Sequence, residues 1–219
     1  LYRHFNLGGV NLAEMSYLTI ENETSDSFVE KRSEFIGYIK PVKTNEEAVS
    51  FVNEIKAKHW DAKHNVYAYI LRDGQIKRYS DDGEPQGTAG VPVLDVLQKA
   101  GVCDCCVVVT RYFGGILLGG GGLVRAYSHA ASLAVNAGGV ITMELCNLCS
   151  MSCDYTLYGK IPSLISDHGG KIKDQVFEDD VKLSFLIPVP NYEKFTEDLT
   201  NLSLGKGFAD IIGTEYVKA

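Results

Sequence analysis

The spacing of apolar residues changes several times along this chain, and each change marks an element. Tyr17–Glu23 and Ser33–Val42 carry the short apolar, β-branched and aromatic runs of strands. Between them and the next strand, Ala48, Phe51, Val52 and Ile55 fall on one face of a helix predicted over Asn45–Lys58. Thr44 precedes it as an N-cap, and Glu47, three residues on, completes a capping box. Val66–Leu71 reads as a strand, Asp73-Gly74 as a hairpin turn and Gln75–Ser80 as the returning partner. A helix after Pro92, through Leu94, Leu97 and Ala100, leads to Val102–Thr110, a buried strand by its unbroken apolar run. A last helix places Leu123, Ala126, Tyr127, Ala130, Ala131, Ala134 and Val135 inward and stops at Gly138-Gly139.

Beyond this point the rhythm is different. A strand over Leu148–Tyr158, a helix over Ile161–His168 and strands over Lys171–Phe177 and Val181–Pro188 come first. A helix over Tyr192–Leu202 and a strand over Ala209–Val217 complete the order βαββαβ, that of the ferredoxin-like split βαβ sandwich. The fold class is therefore α+β in two domains, 15–142 and 143–219, with the boundary near Gly139–Asn147. Leu1–Glu14 lacks the long apolar core of a secretory signal; it reads as an added leader, with Met15 the expected native start.

Composition narrows the function classes. No apolar stretch approaches the roughly 20 residues that span a bilayer, so no membrane is expected. The net charge of −7 argues against a generic, charge-driven nucleic-acid binder. It leaves room for a local basic surface, since Lys56, Lys58, Lys63, Arg72, Lys77, Arg78, Arg111 and Arg125 all fall in the first domain. Six cysteines in a chain this long read as reduced thiols of a cytoplasmic protein rather than a disulfide framework. Cys146-Asn-Leu-Cys149 has metal-ligand spacing but no second pair of ligands at the usual interval. No metal and no cofactor are expected.

The most constrained segment is Arg111–Tyr127, R-Y-F-G-G-I-L-L-G-G-G-G-L-V-R-A-Y. Six of the nine residues from Gly114 to Gly122 are glycine, namely Gly114, Gly115, Gly119, Gly120, Gly121 and Gly122. Ordered glycine costs backbone entropy, so such a run persists where positive φ or close backbone approach is required. A strand, a glycine loop and a helix in this order offer free N–H groups and a positive dipole end to an anion. Arg111 and Arg125 add charge, and Tyr112 and Phe113 add rings. The Walker loop and the dinucleotide fingerprint do not fit, since no Lys follows the glycines and Val124 stands where a third glycine belongs. Anion cradle and plain packing device both remain open.

Two further stretches bear chemistry. Tyr79–Pro92 (Y-S-D-D-G-E-P-Q-G-T-A-G-V-P) sets Asp81, Asp82 and Glu84 beside glycine and proline. The readings are a Mg²⁺ site, a general base, or a solvated turn of the kind these residues form for local reasons. Gly87-Thr88-Ala89-Gly90 then opens a second glycine-bearing helix. In Lys63-His64-Asn65-Val66-Tyr67-Ala68-Tyr69, His64 stands at a strand start, where a base or phosphate donor could stand, but no nucleophile motif accompanies it.

Together, H-N-V-Y-A-Y, S-D-D-G-E-P-Q-G-T-A-G-V-P and V-V-V-T-R-Y-F-G-G-I-L-L-G-G-G-G-L-V-R-A-Y-S resemble the IMPACT family in its bacterial YigZ-like branch. The resemblance runs from Met15 onward, with Gly120 in place of the usual Ala and Lys63 in place of the usual Thr. It implies a first domain with the left-handed βαβ fold of elongation factor G domain IV and GHMP kinases. It implies a second domain like elongation factor G domain V. Eukaryotic relatives regulate translation by competing for the activator of a kinase of initiation factor 2. For bacterial members the likeness implies a role near RNA or the ribosome.

Two functional expectations follow. The first is a non-enzymatic, translation-linked binding protein. It would contact RNA, the ribosome or a protein partner through Arg111, Tyr112, Phe113, the glycine loop and Arg125, with Lys63 and His64 nearby. The second is an enzyme acting on a phosphorylated small molecule, its site formed where the Asp81–Glu84 turn meets the glycine loop.

Overall fold

A computed structural model describes residues 15–219; the leader expected over Leu1–Glu14 lies outside them. The chain divides into two compact units, Tyr17–Thr142 and Met143–Ala219. The first holds a five-stranded sheet in the order β2-β3-β6-β4-β5, every pairing antiparallel. Its strands are β2 (Thr24–Glu30), β3 (Ser33–Pro41), β4 (His64–Leu71), β5 (Ile76–Ser80) and β6 (Cys105–Tyr112). Helix α1 (Asn45–Lys58) buries Ala48, Phe51, Val52 and Ile55 against Tyr38, Tyr69, Cys106 and Val108 on one sheet face. Helices α2 (Gly90–Ala100) and α3 (Gly120–Gly138) cover the other, against Phe35, Ile39, Val66, Val107 and Val109. Central β6 is covered on both faces, and this is why its sequence is an unbroken apolar run with no alternation.

Local chemistry sets the boundaries. Thr44 Oγ1 accepts the Glu47 N–H at 3.2 Å and Glu47 reaches back to the Lys43 N–H at 2.6 Å, one residue beyond the N-cap N–H that a full capping box engages. The first strand, β1 (Ser16–Ile20), is shorter than the Tyr17–Glu23 expected, because the Glu21 and Asn22 N–H groups turn to the carbonyls of Gly139 and Gly138. The strand expected from Val102 starts at Cys105. Gly101, left-handed at φ 68°, ends α2, and Asp104 at φ 53° accepts the Arg72 N–H on its carboxylate. Strand β2 is absent from the sequence reading. It is a sheet edge with mostly polar, exposed residues, so the apolar alternation that reveals a half-buried strand is missing. Between β4 and β5 the Asp73-Gly74 turn takes a 3-10 form over Asp73–Gln75.

The second unit contains β7 (whose range, Val140–Cys153, begins just before the boundary), α4 (Tyr155–Tyr158), α5 (Ile161–Asp167), β8 (Lys171–Phe177), β9 (Val181–Pro188), α6 (Tyr192–Leu202) and β10 (Asp210–Lys218). Its strands lie in the order β10-β7-β9-β8, all antiparallel, with two of the helix segments, α5 and α6, placed as in the βαββαβ pattern. Ile161, Ile165, Phe195 and Leu199 pack on Cys149, Met151, Leu183 and Phe185. The strand expected to run to Tyr158 stops at Cys153. Asp154 accepts the Leu157 N–H at 2.7 Å and starts a helical turn instead.

Candidate functional site

The Asp81–Glu84 turn does fold against the segment leading into α3, and the contact is made by buried polar groups. Glu84 lies at the centre. Its Oε1 accepts hydrogen bonds from Arg111 Nη1 and from the Tyr127 hydroxyl at 2.8 Å, and His64 Nε2 lies 3.9 Å away. His64 donates from Nδ1 to the Asp82 carbonyl at 2.8 Å, which fixes its tautomer. At Gly120, a Cβ would stand 3.9 Å from the Thr88 methyl, so the two glycine-bearing helix entrances are neighbours. Burial, and next the charge of Glu84, push the Tyr127 hydroxyl far above the ordinary tyrosine range, so it stays a donor.

The three carboxylates of the turn are all used internally. Asp81 accepts from the Gly87 N–H at 2.9 Å, the Ala89 N–H at 3.1 Å and the Gly90 N–H at 2.8 Å, closing the amino terminus of α2. Asp82, held at φ 43°, takes Lys56 Nζ at 2.7 Å and the Asn65 N–H at 2.7 Å. The turn is therefore organised by protein donors as well as by solvent, with Glu84 buried and Gly83, Pro85 and Gln86 exposed. Among the described residues no cluster of histidine, cysteine or carboxylate side chains is arranged to hold a metal ion.

Arg111 also departs from expectation. Instead of facing a phosphate it is 5% exposed, ion-paired to Glu84, and laid over the Phe35 and Phe113 rings at 5.5 Å each. Its Nε is left without a hydrogen-bond partner. The next two residues behave differently. Tyr112, half-buried, bonds His59 Nδ1 at 2.8 Å and donates to Asp61 Oδ1 at 2.9 Å, while Phe113 is 49% exposed.

The glycines do two jobs. At Gly114 a Cβ would fall 2.0 Å from the Arg32 backbone, so this residue lets the β2–β3 turn press on the loop, assisted by its N–H bond to Ser33 Oγ at 3.1 Å. Gly119, at φ 74° and ψ 166°, occupies a region that only glycine enters readily, and there it turns the chain into α3. Gly115 is at φ 83°, and Gly121 and Gly122 form the first turn of α3. No side chain caps that turn; the Arg125 guanidinium lies 3.7 Å from the Cβ position of Gly121.

Around the loop stand residues that sequence reasoning passed over. Lys31 and Arg32 form the two-residue turn between β2 and β3 at φ 46° and 65°, where Asn-Gly is the favoured pair. Each left-handed non-glycine residue costs about 1–2 kcal/mol. Trp60 is 83% exposed, between His59 and Asp61, the two residues that bond the Tyr112 hydroxyl. Its signal was the run Lys56–His64, in which lysines and histidines flank the chain's one tryptophan. Ile116 and Leu117 are exposed at the loop tip, and Lys63 is exposed beside buried His64.

The six cysteines are free. Cys146 and Cys149 lie three apart in extended β7, on opposite sides of the strand. Burial pushes the Cys103 and Cys146 thiols up to about 11 and Cys149 to about 12, which leaves them protonated and unreactive.

An α+β first domain tied together by a buried His-Glu-Arg-Tyr cluster, followed by a ferredoxin-like second domain, defines a class of two-domain protein. The chain belongs to the IMPACT family. The Impact N-terminal domain matches residues 31–135, and a domain of unknown function (DUF1949) matches residues 151–206. The IMPACT family member YvyE of Bacillus subtilis (strain 168) is 40% identical over 192 residues, spanning 87% of this chain and 88% of that protein. YigZ of Escherichia coli (strain K12), another member, is 35% identical over 178 residues, spanning 80% and 87%. A crystal structure described only as that of a hypothetical protein superposes with a TM-score of 0.58 at 32% identity, covering 91% of this chain and 98% of that one.

Proposed function

We propose that this is a non-enzymatic binding protein, linked to translation as the elongation-factor likeness implies, that contacts RNA through one end of its first domain. What carries the reading is the company kept by the exposed rings. Trp60, Phe113, Ile116 and Leu117 are exposed at the end of the domain where Tyr112 bonds Asp61 and Gly114 abuts Arg32, and Lys31, Arg32, Lys63 and Arg125 form no ion pair among the described residues. Glu30, Glu34 and Asp61 are acids adjacent or close in sequence to Lys31, Arg32 and Trp60. Exposed rings that stack on bases beside cations that meet phosphates are the composition of a single-strand binding surface. The buried Glu84 cluster contributes rigidity.

The test is RNA binding by the full chain at several salt concentrations. Affinity should fall as salt rises. Trp60→Ala and Phe113→Ala should each weaken binding by about 1–3 kcal/mol, with Lys63→Ala reducing the salt slope. Binding that ignores both salt and these substitutions sinks the reading. The meeting of the turn with the glycine loop favours a second reading, an enzyme for phosphorylated small molecules. Against it stands the engagement of all three carboxylates by protein donors.

A further inference from the structure

The edge of the first domain's sheet and the start of α3 flank a groove of about 270 Å³, just below the usual range of small-molecule sites. On one side is the end of β2 with Phe28, Glu30 and Lys31. Opposite, Gly122, Arg125 and His129 repeat at helical spacing along one face of α3, and Leu118 closes the end. The groove is a consequence of the glycine run. A Cβ at Gly122 would stand 2.9 Å from Leu118 Cβ, so glycine here is what lets Leu118 settle.

Its lining is of two kinds. Phe28 stacks on Phe35 with centroids 5.3 Å apart and meets the His129 ring edge-on at 4.6 Å, giving an aromatic wall anchored to the core. Lys31 and Arg125 bring two charges that no carboxylate pairs among the described residues, with Glu30 the one acid in the lining. Lys31 is also held in a left-handed conformation that a lysine adopts at a cost, with Arg32 beside it. Two cations next to an aromatic wall suit a ligand that carries a doubly charged phosphate at one end and a planar ring at the other. We infer that the groove binds a nucleoside 5′-monophosphate, either free or as the phosphorylated terminal nucleotide of an RNA. Only the terminal form rests on the RNA reading above.

The full chain is titrated with AMP, adenosine and inorganic phosphate by calorimetry, and with one RNA sequence carrying either a 5′-phosphate or a 5′-hydroxyl. AMP should bind at least tenfold more tightly than adenosine or phosphate, because only AMP engages both walls. Lys31→Asn, which suits the turn, and Arg125→Ala, on an exposed helix face, should each weaken AMP at least fivefold, with Lys77→Ala as a distant control. Thermal unfolding establishes that each variant is folded. A preference for the 5′-phosphorylated RNA assigns the terminal nucleotide; equal affinity for the two RNAs with AMP still bound assigns the free one. AMP bound no better than phosphate, or unaffected by both substitutions, overturns the proposal. RNA binding without AMP binding overturns it while leaving the RNA reading intact, and AMP binding without RNA binding does the reverse.

Discussion

Two helices of the first domain start in neighbouring glycine-bearing loops, and their amino termini are finished differently. At α2 the carboxylate of Asp81 takes the N–H groups of Gly87, Ala89 and Gly90. At α3 the turn begins with Gly119 and no side chain caps it. The compositions are alike, yet one end is completed from within and the other by backbone conformation alone. A glycine loop at a helix start is thus an anion site only when the protein has not supplied the anion. Glu84 ties the two together, since it leaves the first loop and meets Arg111 and Tyr127, which flank the second on β6 and α3.

The largest effect should come from breaking that tie. Glu84→Ala leaves the Arg111 guanidinium buried without a counter-charge and removes the acceptor of Tyr127, and it should cost about 3–5 kcal/mol in urea denaturation. Combining Glu84→Ala with Arg111→Met removes the stranded charge and should recover a large part of the loss. Equal costs for the single and double variants would mean that the cluster is held by packing. Asp81→Ala comes next, at about 2 kcal/mol for an emptied cap. Because the effect is local to α2, folded Asp81→Ala protein should keep the RNA affinity assigned to the other entrance.

The same pair explains which parts of the structure were legible in the sequence. The α1 face was readable because Phe51, Val52 and Ile55 repeat on a period that local geometry imposes. Strand β6 was readable because both its faces are covered. Strand β2 was not, since an exposed edge needs no apolar alternation, and Asp154 was read as strand although its side chain starts a helical turn. At the site, the glycine loop and the acidic turn announced themselves, but their roles depended on partners remote in sequence. Arg111 finds Glu84 27 positions earlier, and no local pattern encodes that pairing. Its neighbours Tyr112 and Phe113, identical in prospect from the sequence, are separated by the end of β6, which keeps Tyr112 and releases Phe113 into the loop.

A smaller effect probes the open entrance. Gly119 has nothing within 4 Å of its Cβ position, so Gly119→Ala meets no clash and tests the backbone alone. The φ of 74° with ψ of 166° should make it cost about 1–2 kcal/mol, seen as a lower urea midpoint at unchanged slope. A cost near zero would mean that the loop has another conformation of equal energy, and the frame assigned to Phe113 and Arg125 would not be rigid.

The smallest effect is a dependence on pH at the same end of the domain. His59 bridges the Tyr38 hydroxyl at 2.6 Å and the Tyr112 hydroxyl at 2.8 Å. Burial, and after it the charge of Lys58, holds its pKa below the ordinary histidine value of 6.5. In the folded protein the imidazole therefore stays neutral where the unfolded chain has begun to bind a proton. The unfolded state takes up more protons just below pH 6.5, so stability rises with pH across that window. The contribution of His59 is fully present above the unfolded value and is lost as pH falls towards the folded one. Denaturation midpoints between pH 5 and 8 should show a slope that His59→Gln reduces. An unchanged slope in that variant would place the titration elsewhere and leave the tyrosine pair, with Trp60 beside it, insensitive to pH.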